Sequence, residues 1–163
     1  MATKFEELCR IYGELKTKFE QYEVEAGQLV VALRDTLAAT IEAPSEHVTL
    51  FATHGTMAGH KLPGPTGALQ LLDDTWFHVG FCIDLYRKVE EYPYERAGFK
   101  LRLKHLNDHY RIEILDDESV HEARTQEDLQ TLADHMYDLL VDRYRHALHR
   151  FVVEGKAEAR FGF

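Results

Sequence analysis

The sequence predicts an α+β fold in which a four-stranded antiparallel sheet packs with a long N-terminal helix and a C-terminal helix. Apolar residues recur every three or four positions near both ends of the chain, as in helices, and alternate singly in the middle, as in strands. No segment shows the regular alternation of strands with long helices that is typical of a parallel sheet. Because 163 residues suit one domain, we expect a single domain over residues 1–163.

Composition limits the classes of function. The chain holds 28 acidic and 19 basic residues, a net charge of -9, which makes nucleic-acid binding an unlikely role. Two cysteines, Cys9 and Cys82, are too few for a disulfide framework. No apolar run approaches the ~20 residues of a membrane span, and the first residues do not resemble a signal peptide. We therefore expect a cytoplasmic protein that does not bind membranes.

The first helix is predicted over residues 4–41, before Pro44, and its apolar residues follow a heptad pattern. They are Phe5, Leu8, Tyr12, Leu15, Phe19, Tyr22, Ala26, Leu29 and Leu33. One continuous helix would be roughly 57 Å long, more than the ~40 Å diameter of a compact domain of this size. The overhanging apolar stripe predicts a homodimer. The alternative is a helical hairpin broken at Gly27 and packed within one chain.

The sheet is predicted over residues 46–115. After a first strand with Val48 and Leu50, a glycine-rich loop runs from Thr53 to Gly67, and a strand follows that alternates between two faces. Its core face has Phe77, Val79, Phe81, Ile83 and Leu85; its second face has Trp76, His78, Gly80, Cys82, Asp84 and Tyr86. A glycine in mid-strand often marks a bulge or a close approach by another group.

The segment GFKLRLKHLNDHYRIEI predicts a hairpin whose turn is Asn107–Asp108. In that register Leu101 faces Ile114 and Leu103 faces Ile112 on the core side. On the second side, Arg102 faces Glu113 and Lys104 faces Arg111. Two like charges opposite each other are destabilising unless an anion or a carboxylate lies nearby.

Residues 116–124 are predicted to be irregular, and Thr125 with Asp128 forms an imperfect capping box before the second helix. This helix is predicted over residues 126–151 with a tail over 152–163. Its broad apolar face predicts packing against the core. That face consists of Leu129, Leu132, Met136, Leu139, Leu140, Ala147, Leu148 and Phe151.

The best candidate site is a ligand-binding surface on the second face of the sheet. Basic residues there suit a carboxylate or phosphate, and a tryptophan offers a flat apolar platform. Backbone amides and basic side chains of the glycine-rich loop could add to it. The predicted ligand-binding residues are Trp76, His78, Arg102, Lys104, Arg111, His54, His60 and Lys61. The alternative is that a helix covers this face, with Glu6, Glu7, Glu20 or Glu23 neutralising the basic residues.

The second helix also carries metal-capable side chains along one stripe, namely His135, Asp138, Asp142, His146 and His149. The stripe lies opposite the apolar face, where a helix normally meets solvent, so a solvated surface is the simpler interpretation. Neither this stripe nor the loop matches a metal-binding or phosphate-binding signature, and we expect no cofactor.

These observations predict a noncatalytic homodimeric binding or adaptor protein. It would dimerise through the first helix and hold an acidic peptide or an anionic small ligand on the cationic face and the glycine-rich loop. The alternative is a metal-dependent hydrolase built from the histidine and aspartate stripe, which requires ligands from distant segments to converge.

Overall fold

The computed structural model describes residues 1–88, 91–92 and 94–155. Two helices and seven strands occur within these residues. In chain order they are α1 Lys4–Thr40, β1 Val48–Phe51, β2 Lys61–Leu62, β3 Gln70–Leu71, β4 Phe77–Tyr86, β5 Tyr94–Leu106, β6 His109–Ile114, β7 Ser119–Ala123 and α2 Gln126–Val153. The architecture is α+β, as predicted.

The sheet is antiparallel throughout, with strand order β2-β1-β4-β5-β6-β7 and β3 paired to β4. The prediction of four strands is therefore wrong, since the sheet has seven in the described chain. The strands β2 and β3 have two residues each, too few to produce an alternating pattern, and β2 lies inside the predicted loop. The strand β7 lies in the acidic segment predicted to be irregular.

The first helix is continuous, which contradicts the alternative of a break at Gly27. Its start is fixed by a capping box between Thr3 and Glu6, as each side chain accepts a hydrogen bond from the other residue's backbone amide. Gly27 is buried, and a Cβ atom there would lie 3.4 Å from Pro65 Cγ. The absence of a side chain at Gly27 therefore lets the loop pack against the helix, and the glycine does not end the helix.

The hairpin of β5 and β6 has the predicted register. Leu101 pairs with Ile114, Arg102 with Glu113, and Lys104 with Arg111. The strand β5 begins at Tyr94, four residues before the predicted start, and pairs with β4 along its length. The residues on the second faces of β4 and β5 are therefore neighbours.

Both helices pack on the core face of the sheet. Val79, Phe81 and Ile83 of β4 are buried in one cluster with side chains from α1 and α2. The largest side chains that are fully buried are Phe81, Phe99, Leu33, Leu37, Leu50, Ile83, Leu101, Leu103, Ile112, Ile114, Leu132 and Met136. The alternative in which a helix covers the second face is thus wrong for both helices described.

The second helix begins with the predicted capping box of Thr125 and Asp128. It ends at Val153, two residues into the predicted tail, and residues 156–163 of that tail lie outside the described residues. Leu148 and Phe151, predicted to pack against the core, are exposed. Among the described helices, none is both long and apolar enough to cross a membrane.

Gly80 on the second face of β4 lies beneath the ring of Phe51. The two residues are paired across β1 and β4, and a Cβ atom at position 80 would lie 2.3 Å from Phe51 Cε2 and Cζ. Such a separation is far below van der Waals contact, so only glycine fits beneath this ring. Of the two alternatives for a glycine in mid-strand, a bulge or a close approach, the structure shows the close approach, and the approaching group is an aromatic ring.

Candidate binding site

Trp76 lies at the start of β4, beside the basic side chains of β5. The guanidinium carbon of Arg102 lies 4.6 Å from the centre of the indole ring, and Lys104 Nζ lies 5.8 Å from it. Both separations suit cation–π attraction. Lys104 Nζ also donates a hydrogen bond of 2.8 Å to Thr75 Oγ1. The predicted tryptophan and two of the predicted cations thus form one cluster.

Glu113 separates the like charges of this surface. Arg102 Nε donates to Glu113 Oε2 at 2.7 Å, and Arg111 Nε donates to Glu113 Oε1 at 3.2 Å. The Glu113 side chain is only 12% exposed, so it is held tightly between the two guanidinium groups. Like charges face each other at Lys104 and Arg111, and Glu113 is the nearby carboxylate that offsets their repulsion. Lys100, on the same side of β5, is exposed.

His78 is buried, with 6% of its surface exposed, and its ring is held by Asp74. His78 Nε2 lies 2.8 Å from Asp74 Oδ2, and Arg102 Nη1 lies 3.7 Å from the same oxygen. Desolvation acts to raise the pKa of Asp74, but the hydrogen bonds from His78 and from the Trp76 amide outweigh it, and the pKa is lowered. An ionised Asp74 fixes the ring of His78 beneath Arg102.

The glycine-rich loop reaches this cluster through His54 alone. The main chain of His54 exchanges two hydrogen bonds with the side chain of Gln70, and its ring packs edge-on against His78 at 5.3 Å. Lys61 Nζ instead bonds both carboxylate oxygens of Asp84, at 2.6 and 2.7 Å. The side chain of His60 is exposed and makes no hydrogen bond, ion pair or ring contact within the described chain.

Cys82 lies on the same face but has no features of a nucleophile. Burial and the neighbouring carboxylate of Asp84 raise the pKa of the Cys82 thiol, which keeps it protonated at neutral pH. His78 is four residues away on the same strand, about 13 Å at the spacing of strand residues. The two side chains therefore do not form a catalytic pair.

The cluster around Trp76 lies outside the two open cavities that the structure shows. Two open cavities of about 370 and 300 Å³ lie elsewhere, the first lined by Leu29, His105 and Tyr110 and the second by Asp142 and Arg143 among others. Neither contains a residue of the cluster around Trp76. A basic surface with an aromatic platform suits a ligand that carries carboxylates or phosphates.

The metal-capable residues of α2 are dispersed among other partners. His135 Nε2 lies 2.8 Å from Asp117 Oδ2, while Asp142 bonds Arg150 at 2.6 Å and lies 3.6 Å from His146. Asp138 and His149 are exposed. Over the described part of the chain, no group of three or more His, Cys, Asp or Glu side chains is arranged to hold a metal ion.

We expect the stability of the protein to depend on pH because of His121, which lies on β7. Burial and the adjacent ring of His135 lower the pKa of His121 from its ordinary value of 6.5, against the opposing charge of Asp117. The unfolded chain therefore binds this proton more tightly, and the free energy of unfolding falls as pH drops below about 6.5. We expect His121→Gln to show a smaller loss than the wild type between pH 7 and pH 5 in urea titrations. The exposed control His60→Gln should show the wild-type loss, and equal losses in all three proteins would contradict this assignment.

Sequence reasoning placed Trp76, Arg102, Lys104 and Arg111 together and paired Arg102 with Glu113, but it did not identify Asp74 or the second contact of Glu113, with Arg111. The role of Glu113 follows from the hairpin register, since residues 111 and 113 share a face of β6. The contact between Asp74 and His78 depends on the turn before β4, which carries no recognisable signature. The chain matches no protein-family model, no curated protein and no solved structure.

Proposed function

We propose that the protein is a noncatalytic homodimeric binding protein that holds an acidic peptide on the cationic face. The cationic face is defined here as Lys100, Arg102, Lys104 and Arg111 together with Trp76. One observation carries the proposal: Trp76 lies against Arg102 and Lys104 on a sheet face that neither described helix covers. Trp76 is half-buried, and an aromatic ring with flanking cations is a common arrangement in protein recognition surfaces.

The charge of the site supports an acidic ligand. Glu113 and Asp74 pair with Arg102, and Glu113 also pairs with Arg111, whereas Lys100 and Lys104 form no ion pair within the described residues and could bind a carboxylate of a ligand. Carboxylates of a ligand would form charge-assisted hydrogen bonds with Lys100, Lys104 and the free donors of Arg111. The net charge of -9 would repel acidic ligands from other parts of the surface and so favour this one.

The only tryptophan of the chain lies in the site, which makes its fluorescence a direct probe. We expect a peptide of ten glutamates to change the emission of Trp76 saturably at low salt, and a peptide of ten lysines to leave it unchanged. The double variant Arg102→Gln/Lys104→Gln should bind at least about tenfold more weakly, since it removes the charge-assisted contact of Lys104 and the positive charge of Arg102 beside Trp76. Arg102→Gln leaves Glu113 paired with Arg111, which limits the effect on folding.

The matched control is Arg87→Gln/Lys88→Gln, which removes the same charges at two exposed positions beyond the end of β4. It should keep wild-type affinity. If both double variants lose affinity equally, the binding is general electrostatic attraction and the assigned site is wrong. If the wild type gives no saturable change with the acidic peptide, the proposed function is wrong.

A further inference from the structure

The first half of α1 leaves an apolar stripe uncovered. We call residues 4–25 the arm. Eight large apolar side chains of the arm are between 44% and 74% exposed: Phe5, Leu8, Ile11, Tyr12, Leu15, Phe19, Tyr22 and, away from the heptad positions, Val24. From Ala26 onward the helix is buried against the sheet and α2, which together we call the body. A stripe of this length would be costly to leave in water.

The exposed apolar stripe of the arm continues, at the same heptad positions, into the buried part of α1. The heptad positions of Phe5, Leu8, Tyr12, Leu15, Phe19 and Tyr22 continue as Ala26, Leu29, Leu33 and Thr36. Ala26, Leu33 and Thr36 are buried in the body, and Leu29 is half-buried beside it. The body therefore stands on the side of α1 to which the apolar side chains of the arm point.

We infer that the arm pairs with the arm of a second copy of this chain, and that the two arms run antiparallel. The inference rests on the homodimer proposed above and gives it a geometry. In a parallel pair in register, residues 26–40 of the partner helix would lie where the body of the first copy stands. In an antiparallel pair, the partner helix begins at its own capped start beside the body, and the two bodies lie at opposite ends.

One register covers the whole exposed stripe. It places Phe5 opposite the partner's Tyr22, Leu8 opposite the partner's Phe19, and Tyr12 opposite the partner's Leu15, and the same contacts repeat by symmetry. A shift by one heptad in one direction leaves the two outermost layers uncovered. A shift in the other direction drives the start of the partner helix into the body.

Charge, area and space agree with this register. Lys4 comes beside the partner's Glu25 at both ends of the pair, and the flanking positions bring no like charges together. An aromatic side chain buries about 150–250 Å², so the stripe would bury on the order of 700 Å² per copy, enough for a specific interface. The cavity of about 370 Å³ at Leu29, His105 and Tyr110 leaves room where the partner helix begins.

Disulfide trapping tests the orientation directly. In a Cys9→Ser background, which removes the exposed native thiol, we would prepare Leu8→Cys and Phe19→Cys as separate proteins of different tag length. After mixing and mild oxidation, we expect a disulfide only between the two variants, because residues 8 and 19 face each other across the antiparallel pair. Each variant oxidised alone should give no covalent dimer. Sedimentation equilibrium of the uncrosslinked proteins at about 100 µM should give a dimer mass.

Two substitutions locate the interface. Leu15→Glu should make the protein monomeric, since it places a charge in the apolar seam, while Thr17→Glu, on the opposite side of the helix, should remain dimeric. Far-ultraviolet circular dichroism would verify that the sheet and α2 are intact in both variants.

The outcomes separate this inference from the proposed function. A dimer in which either variant crosslinks to itself, or in which the mixture gives no disulfide between the two variants, overturns the antiparallel geometry and leaves the homodimer and the cationic face standing. A wild-type protein that is monomeric at about 100 µM overturns the homodimer and this inference together. A dimer with crosslinks only between the two variants supports both.

Discussion

Replacing Gly80 with alanine should lower the free energy of unfolding by about 2–3 kcal/mol, a large effect for the addition of one methyl group. The new Cβ atom would lie 2.3 Å from two atoms of the Phe51 ring. Either the ring moves away from the sheet or β1 separates from β4, and both changes break existing packing. Urea titration at neutral pH measures the effect.

Gly98 provides the matched control for this experiment. It lies on the neighbouring strand beneath the same ring, but a Cβ atom there would be 3.7 Å from Phe51 Cζ, an ordinary contact. Gly98→Ala should therefore change stability by less than about 1 kcal/mol. Phe51→Leu combined with Gly80→Ala should recover part of the loss. Equal effects at the two glycines would show that the ring does not rest on Gly80.

Replacing Lys61 with methionine should lower the free energy of unfolding by about 2 kcal/mol. The substitution leaves the Asp84 carboxylate, which is 8% exposed, without the two hydrogen bonds that compensate for its burial. The loss should be smaller than for a fully buried pair, because the Lys61 side chain is partly exposed. Lys61→Met/Asp84→Leu should recover most of the stability, while Lys88→Met at an exposed position should have little effect.

The ion pair between Lys61 and Asp84 also sets the pH range over which it stabilises the folded protein. Burial acts to lower the pKa of Lys61, but the hydrogen bond and charge of Asp84 outweigh it, and the pKa is raised above 10.5. The stabilisation is therefore complete at neutral pH and lost only as pH rises through the raised value. If Lys61→Met proved as stable as the wild type at pH 7, Asp84 would have to be compensated by another group.

The sequence predicted those parts of the fold whose patterns are long. The continuous α1, the alternation along β4 and the cross-strand pairs of the β5–β6 hairpin all follow from periodicity and turn chemistry, and the structure confirms them. The strands β2 and β3 could not be predicted, because two residues show no period. The strand β7 was not predicted, because the acidic residues around Ser119–Ala123 suggest a loop. The segment is nevertheless the edge strand next to β6.

The sequence likewise predicted only part of the candidate site. The basic residues of β5 and β6 could be placed on one face because strand geometry fixes their side. The pairing of Lys61 with Asp84 and the packing of His54 on His78 depend on the path of the glycine-rich loop across the sheet. That path is set by tertiary contacts such as Pro65 against Gly27, which no local pattern encodes.

The unsupported length of α1 has a thermodynamic consequence. Within the described chain, few side-chain interactions stabilise residues 4–21 locally. They are the Thr3 capping box, an ion pair between Arg10 and Glu14, and hydrogen bonds from Thr17 to the Gly13 carbonyl and from Gln21 to Glu25. Gly13 weakens them, and a helix of about 20 residues alone in water is only marginally stable. In an isolated chain this part of α1 would unfold and refold readily, so that, if the arms pair as inferred above, helix formation and dimerisation would be a single concentration-dependent event.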